Sequence, residues 1–445
     1  MLADYPPRCW QITHAILARG PRTDMMRAVT TYAPRRAEAR LSAALSDTRV
    51  VAITGARQVG KSTLVKRALK GKRDFTTRSL DKPIELNAAQ ADPLRFVRHD
   101  GLMIIDEVQR APELMLAIKS IVDDDDRPGQ FLLTGSARLM GLRDLPDALV
   151  GRMETIELWP FSQGEIDRTA DDFIDRVFKD EPRLSGGGLE ERAGYVERVT
   201  RGGFPEAVRR DEGRRSRFFS AYLADLIDRD VRQLAEIQKR DVLQSLVRVV
   251  AGRSGQLLKV DGLASDMKQP TTTIDRYLSL FEEVFLMKRI ASWSASTTTR
   301  TVQFSKVLFV DSGLCAHLVG RSVKRLMDDD TALGPLLETF VLGELARQLE
   351  WSETRATLHH YRTRDGIEVD AVLEAADGRV AAFEVKSGET VRSDDFAPMR
   401  HLQQRVGENF HLGVVFHTGR QTLSFGDRLL AVPIDSLWTK SRRAR

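Results

Sequence analysis

The chain has 445 residues, about three domains at roughly 150 residues each, so it can bury several cores without disulfides or metals. With 42% hydrophobic and 29% charged residues, it holds too much apolar material to stay unfolded, and its charges are too evenly spread for a coiled-coil rod. Lys and Arg number 68 against 63 Asp and Glu, and the resulting +5 permits a nucleic-acid partner without requiring one.

The only cysteines, Cys9 and Cys315, make neither a disulfide framework nor a zinc-ligand spacing, which points to an intracellular, cytoplasmic protein. The longest apolar runs, such as Leu102–Ile105 and Leu412–Phe416, are far shorter than the roughly 20 residues of a spanning helix, so no membrane segment is expected. Residues 1–34 read as an N-terminal extension without the layout of a secretory signal, and Met25 or Met26 is an alternative start.

In chain order, Ala37–Ser46 places Ala39, Leu41, Ala44 and Leu45 at helical spacing. The β-branched run Val50–Thr54 has the length and content of a buried parallel strand. Gly55–Ser62 form a glycine-bounded loop and Thr63–Leu69 a helix. Two more buried strands follow: Leu102–Ile105, ending in Asp106-Glu107, and Phe131–Leu133, ending in Thr134-Gly135-Ser136. Strands alternating with helices predict a parallel α/β sheet, whose ligands gather at the carboxyl ends of the strands.

Beyond Trp159-Pro160 the pattern becomes mainly helical, interrupted at Ser185–Gly188, a flexible stretch by composition, and at Arg201–Pro205. Val260–Met267 and Thr272–Glu283 are helical patterns separated by Lys268-Gln269-Pro270 and followed by a strand over Val284–Ile290, the order of a winged helix-turn-helix. Leu263, Ile274, Leu278 and Phe281 supply its small core. From about Leu336 the chain is α+β: a helix over Leu336–Leu349, then strands around Leu358–Arg362, Glu368–Leu373, Arg379–Val385 and His411–Phe416. The expected divisions fall near 160, 250 and 330.

Gly55-Ala56-Arg57-Gln58-Val59-Gly60-Lys61-Ser62 fits G-x-x-x-x-G-K-[ST] between a predicted strand and a predicted helix. The glycines allow a tight turn whose backbone N–H groups converge on phosphates, and the helix N-terminus adds favourable partial charge. Lys61 then reaches the terminal phosphates and Ser62, followed by Thr63, ligates Mg²⁺. Asp106 is the second metal candidate and Glu107 the base that activates water. Thr134 or Ser136 either bonds the γ-phosphate or the water, or simply forms the turn.

Thr271, Thr272, Thr273 and Arg276 open the second helix of the helix-turn-helix, where such motifs meet bases or phosphates. Residues 251–300 carry seven Lys/Arg against five Asp/Glu, so DNA contact and structural coupling both stay open. Further on, Glu368-Val369-Asp370 and Glu384-Val385-Lys386 fall on two strands joined by a hairpin at Asp377-Gly378. Glu384 and Lys386 share a face because side chains alternate along a strand. Whether Asp370 meets them depends on a register that the sequence leaves open. Two carboxylates on Mg²⁺ or Mn²⁺ beside a lysine are what phosphodiester hydrolysis needs. Asp370 and Glu384 are the candidate ligands, Glu338 a further ligand or orienting group, and Lys386 the group that positions nucleophile or phosphate. The alternatives are an exposed hairpin with ordinary charges, or the same fold used without turnover.

Residues 55–63, Ile105–Gln109, Leu133–Ser136, Gly151-Arg152, Gly202–Glu206, Asp311–Leu314 and the Asp370/Glu384/Lys386 cluster resemble the AAA+ type ATPases of bacteria and archaea that carry a C-terminal domain of uncharacterised function. The resemblance runs from about residue 35 to Trp438. It implies an ATPase assembling as a ring, with nucleotide between subunits and Arg152 as the arginine finger; read from its neighbours alone, Arg152 is equally a surface ion pair. No clear second sensor arginine is found. The C-terminal cluster resembles the PD-(D/E)XK core of restriction endonucleases. The expected organisation is an extension at 1–34, a P-loop ATPase domain at 35–160, a helical lid or linker at 161–250, a winged helix at 251–330 and a nuclease-like α+β domain at 331–445. The expected function is a Mg²⁺-dependent ATP-hydrolysing ring whose nuclease-like domain engages DNA. The alternative is an ATP-dependent oligomerisation switch or scaffold that binds a protein partner or DNA, with a silent C-terminal domain.

Overall fold

The run Val50–Thr54 is strand β1, buried along its whole length, as a β-branched strand covered on both faces should be. In the computed structural model, which describes residues 33–71, 74–136, 149–182, 184, 187–231, 240–294 and 305–439, β1 is packed by helix α1 (Ala37–Asp47) and followed by helix α2 (Lys61–Ala68). Most of the expected N-terminal extension, including Cys9, Met25 and Met26, and Ser185-Gly186 lie outside the described residues. Helix α1 buries Ala37, Leu41, Ala44 and Leu45. Ala39, expected on that face, is exposed.

Strand β2 (Phe75–Ser79), helix α3 (Pro83–Ala91), strand β3 (Leu102–Asp106), helix α4 (Leu114–Asp124), strand β4 (Phe131–Gly135) and strand β5 (Met153–Glu157) complete the first layer. All strand pairs are parallel, in the order β2-β3-β4-β1-β5. Side-chain alternation sends Val51 and Ile53 into one core and Val50 and Ala52 into another across the sheet. Strand β2 gives no apolar run because it is an edge strand, Phe-Thr-Thr-Arg-Ser, with most of its residues exposed.

The middle is helical: α5 (Arg192–Arg201), α6 (Glu212–Asp225), α7 (Arg240–Ala251), α8 (Val260–Met267) and α9 (Thr271–Glu283). Leu263, Ile274, Leu278 and Phe281 are all buried between α8 and α9. Strand β6 (Met287–Ile290) starts later than the sequence predicts, because Val284 caps α9 and Phe285 turns with φ 57°. Its antiparallel partner is β7 (Lys306–Phe309), followed by α10 (Ser312–Leu318) and the long α11 (Asp330–Leu349).

The last layer contains β8 (Ala356–Arg362), β9 (Glu368–Ala375), β10 (Val380–Val385), α12 (Ala397–Val406), β11 (Phe410–His417), β12 (Leu423–Ser424) and β13 (Leu429–Pro433). The sheet is mixed, in the order β12-β13-β11-β10-β9-β8. The expected hairpin joins β9 to β10, with Gly378 at φ 88° in its turn. One apolar core runs from Leu41 through Tyr195, Leu246, Phe281 and Phe340 to Trp438, so the successive segments share buried side chains. Among the described residues, no helix is long and apolar enough to cross a membrane.

A buried polar hub crosses the same region. Arg347 on α11 donates to the carbonyls of Pro160 (3.2 Å) and Val310 (3.2 Å) and to Glu344 (2.9 Å). Glu344 also accepts from the Gln163 N–H (3.0 Å). Asp311 accepts from the N–H groups of Gly203 (2.6 Å) and Leu314 (2.9 Å), capping α10.

Candidate nucleotide-binding site

The parallel register puts the ends of β1, β3 and β4 at one level: Ile53 pairs with Thr134, and Ile105 with Leu133. The loop Gly55-Ala56-Arg57-Gln58-Val59-Gly60 therefore opens beside Asp106 and Thr134. Gly55 (φ 142°), Gln58 (φ 61°) and Gly60 (φ 98°) all turn through positive φ before α2 begins at Lys61. Lys61 is buried and its Nζ donates to the carbonyls of Gly55 (2.8 Å) and Ala56 (3.0 Å). Thr63 is exposed on the first turn of α2.

Ser62 Oγ lies 3.4 and 3.3 Å from the two Asp106 oxygens, and Thr134 Oγ1 donates to Asp106. A hydroxyl and a carboxylate held together at the mouth of a phosphate loop are oxygen donors of the kind a hard divalent cation takes. Ser62 and Asp106 would hold the Mg²⁺ of Mg·ATP, and that ion neutralises phosphate charge. Glu107 occupies a left-handed position (φ 56°) that turns its side chain away from the strand. It accepts from Ser136 Oγ (3.2 Å) and from Gln109, whose amide also reaches Ser136 (3.1 Å). Gln109 and Ser136 thus orient the carboxylate that sequence reasoning assigns as base.

Two residues around the loop, Arg35 and Glu165, were not singled out from the sequence. Buried Arg35 donates to Val59 O (3.1 Å) and pairs with Glu165 (3.1 Å), bracing the loop from below. Pro205 Cγ lies 4.0 Å from the position a Cβ on Gly60 would take, so the Gly202–Glu206 turn closes over the loop. A Cβ on Gly203 would stand 2.2 Å from Phe161 O, which explains why glycine is needed there. Gly55 is equally constrained: its Cβ would meet Leu158 O at 2.2 Å. Gly55→Ala is expected to cost about 1–3 kcal/mol in backbone strain alone and to lower the thermal midpoint as well as nucleotide affinity. An unchanged melting curve would contradict this.

Arg152 lies at the opposite end of the sheet. Its carbonyl accepts from Val50 N–H (3.2 Å) at the start of β1, so a five-residue strand, roughly 16 Å, separates it from its own loop. Its guanidinium pairs with Asp123 on α4 and donates to Val150 O (3.0 Å). Val150 beside it is an exposed apolar residue.

In the C-terminal sheet, Phe383 pairs with Ala371, which brings Asp370 next to Glu384. Asp370 Oδ2 accepts from Val385 N–H (2.9 Å), and Lys386 Nζ donates to Glu384 (3.1 Å). Burial and the neighbouring Asp370 hold both Glu338 and Glu384 above the ordinary carboxylate range. The expected metal ligands do come together, but around a side chain the sequence did not reveal. Lys306 Nζ lies 2.8 Å from Glu338, 3.0 Å from Glu368 and 3.5 Å from Asp370. Among the described residues, no set of three or more His, Cys, Asp or Glu side chains is arranged to hold a metal ion. Of the expected Mg²⁺ or Mn²⁺ ligands, Glu338 and Asp370 stand around the Lys306 ammonium, and Glu384 lies beside Asp370 on the neighbouring strand.

Residues 47–167 match the AAA domain family. Residues 192–325 and 333–437 match two domains of unknown function, DUF8612 and DUF4143. The chain is 27% identical over 408 residues to an uncharacterized protein of Mycobacterium tuberculosis, covering 91% of this chain and 84% of that protein. A Walker-type ATPase of Pyrococcus abyssi is 16% identical with a TM-score of 0.39, over 64% of this chain and 96% of that one. The RuvB Holliday junction branch migration motor of Thermotoga maritima is 17% identical with a TM-score of 0.26, over 60% and 89%. The AAA family match and the phosphate loop on its parallel sheet support an AAA-type ATPase domain; the C-terminal part is a mixed-sheet domain similar to one of unknown function.

Proposed function

We propose that the protein is a Mg²⁺-dependent ATPase that works as a homo-oligomeric AAA+ ring, with ATP state controlling subunit arrangement and the C-terminal half engaging DNA. The observation that carries the ATPase reading is the gathering of Lys61, Ser62, Asp106, Glu107 and Thr134 at the carboxyl ends of three adjacent parallel strands. The ring reading is supported by Arg152, which is too far from its own loop to serve it and lies beside exposed Val150, a cation next to an apolar side chain suited to a second copy. For DNA, the support is the exposed start of α9, where Thr271, Thr272 and Arg276 face solvent. The rival reading, an oligomerisation switch whose nuclease-like domain is silent, gains from Lys306 among the carboxylates.

Mixed oligomers test the ring. Arg152→Ala is expected to lower ATP turnover about 10³-fold, and Lys61→Ala to abolish it. Combining the two should recover a share of wild-type phosphate release, because an intact loop in one copy meets an intact Arg152 in the next. Wild-type turnover by Arg152→Ala, or no recovery in verified mixed assemblies, would remove the ring reading.

A further inference from the structure

The carboxylates of the C-terminal sheet already enclose a cation. Lys306 opens β7, which belongs to the winged-helix segment, yet its fully buried side chain ends among Glu338 of α11 and Glu368 and Asp370 of β9. It also lies 3.4 Å from the Asp370 carbonyl. Gly255, from the same segment as Lys306, covers Glu338 from another side: a Cβ there would stand 3.1 Å from its carboxylate. Arg362 pairs with Glu368 at the rim. Glu384 is bound on one oxygen by Lys386, and its other oxygen is buried without a hydrogen-bond partner among the described residues.

An ammonium and a divalent ion want the same oxygens, so the two exclude each other at one position. Mg²⁺ needs near-octahedral oxygens at about 2.0–2.1 Å, whereas the Lys306 contacts have the longer spacing of hydrogen-bonded ion pairs. Expelling Lys306 would leave its charge buried or force β7 away from the sheet, and either is unfavourable. Burial opposes the charge of Lys306, but Glu338, Asp370 and Glu368 outweigh it and raise its pKa above the ordinary lysine value.

We propose that Lys306 is the resident cation of the Glu338, Glu368 and Asp370 cluster, so that these carboxylates lock the winged-helix segment onto the C-terminal sheet and exclude Mg²⁺ and Mn²⁺. The cluster then serves assembly, and the C-terminal domain of the folded chain works as a metal-free scaffold. This is independent of ATP hydrolysis at the P-loop.

The test uses nucleotide-free full-length protein and Mn²⁺ alone, followed by paramagnetic resonance titration and melting temperature. Wild type and Asp370→Asn should bind the same amount of Mn²⁺, since the cluster takes none in either. Lys306→Met should be less stable, and Mn²⁺ should raise its melting temperature by about 5 °C or more, an effect lost when Asp370→Asn is added. A wild-type Mn²⁺ site that disappears in Asp370→Asn would overturn the proposal, as would a folded Lys306→Met that neither loses stability nor gains Mn²⁺. Where Lys306→Met does not fold, the comparison of wild type with Asp370→Asn decides: equal binding supports the resident lysine, and unequal binding rejects it.

Discussion

Glu107→Gln is expected to lower the turnover of Mg·ATP by about 10²–10⁴-fold while leaving ATP binding close to wild type. The range is that of losing a positioned general base. Binding should survive because the phosphate cradle comes from Gly55–Ser62, and Glu107 is held beside that cradle by Gln109 and Ser136. Glutamine has the same shape and keeps the hydrogen-bond positions, so the change removes charge and basicity alone. Lys61→Ala, in contrast, should weaken nucleotide binding as well, since its ammonium lies in the floor of the loop beside Gly55 and Ala56. Steady-state phosphate release and a nucleotide-binding titration separate the two effects. Equal turnover in wild type and Glu107→Gln would remove Glu107 as the base, and equal turnover in Lys61→Ala would remove the ATPase assignment.

Arg347→Ala is expected to have the largest effect on stability, a loss of about 3–5 kcal/mol, because it takes the cation from two buried carboxylates. Glu344 and Asp311 have fully buried side chains, and Arg347 is bonded to the first and 4.0 Å from the second. Burial already raises the pKa of both, with Arg347 opposing the rise. A carboxyl whose folded pKa is raised loses stability as pH climbs past its unfolded value of about 4. Without Arg347 the rise is steeper, so the deficit of the variant should be greater at pH 8 than at pH 5. Urea unfolding at the two pH values measures both points; a loss under about 1 kcal/mol at pH 8 would show that the hub is not held by charge.

The phosphate loop was legible because its residues are contiguous and its strand and helix flank it directly. Asp106 and Thr134 followed from one rule, that parallel strands present ligands at their carboxyl ends. The hairpin of β9 and β10 was legible too, from Asp377-Gly378, but the approach of Asp370 to Glu384 needed the register that the sheet supplies. Lys306 was hidden for a different reason. It opens the four-residue strand Lys-Val-Leu-Phe, which pairs with the preceding strand β6, and its partners on α11 and β9 lie 32 to 64 positions away. Arg35 and Arg347 were missed in the same way, since a buried arginine and a solvated one look alike until the elements around them are packed. Strand β2 was missed because an edge strand with polar side chains carries no periodic apolar signal.

Helix α11 carries Glu338 near its middle and Arg347 near its end. Nine residues of α-helix separate them, roughly 14 Å. At one end Arg347 grips the carbonyl of Pro160, in the segment that follows β5 and packs beside the phosphate loop; at the other, Glu338 grips Lys306. The second half of the helix is therefore a connecting rod between the nucleotide end of the molecule and the carboxylate cluster, bounded by these two ionic side chains and held along its length by Leu337, Val341, Leu342 and Leu345 in the shared core. A shift of Pro160 would travel along it as a rigid displacement, felt first at the Val310 carbonyl that Arg347 also holds and then at the ion pair between Glu338 and Lys306.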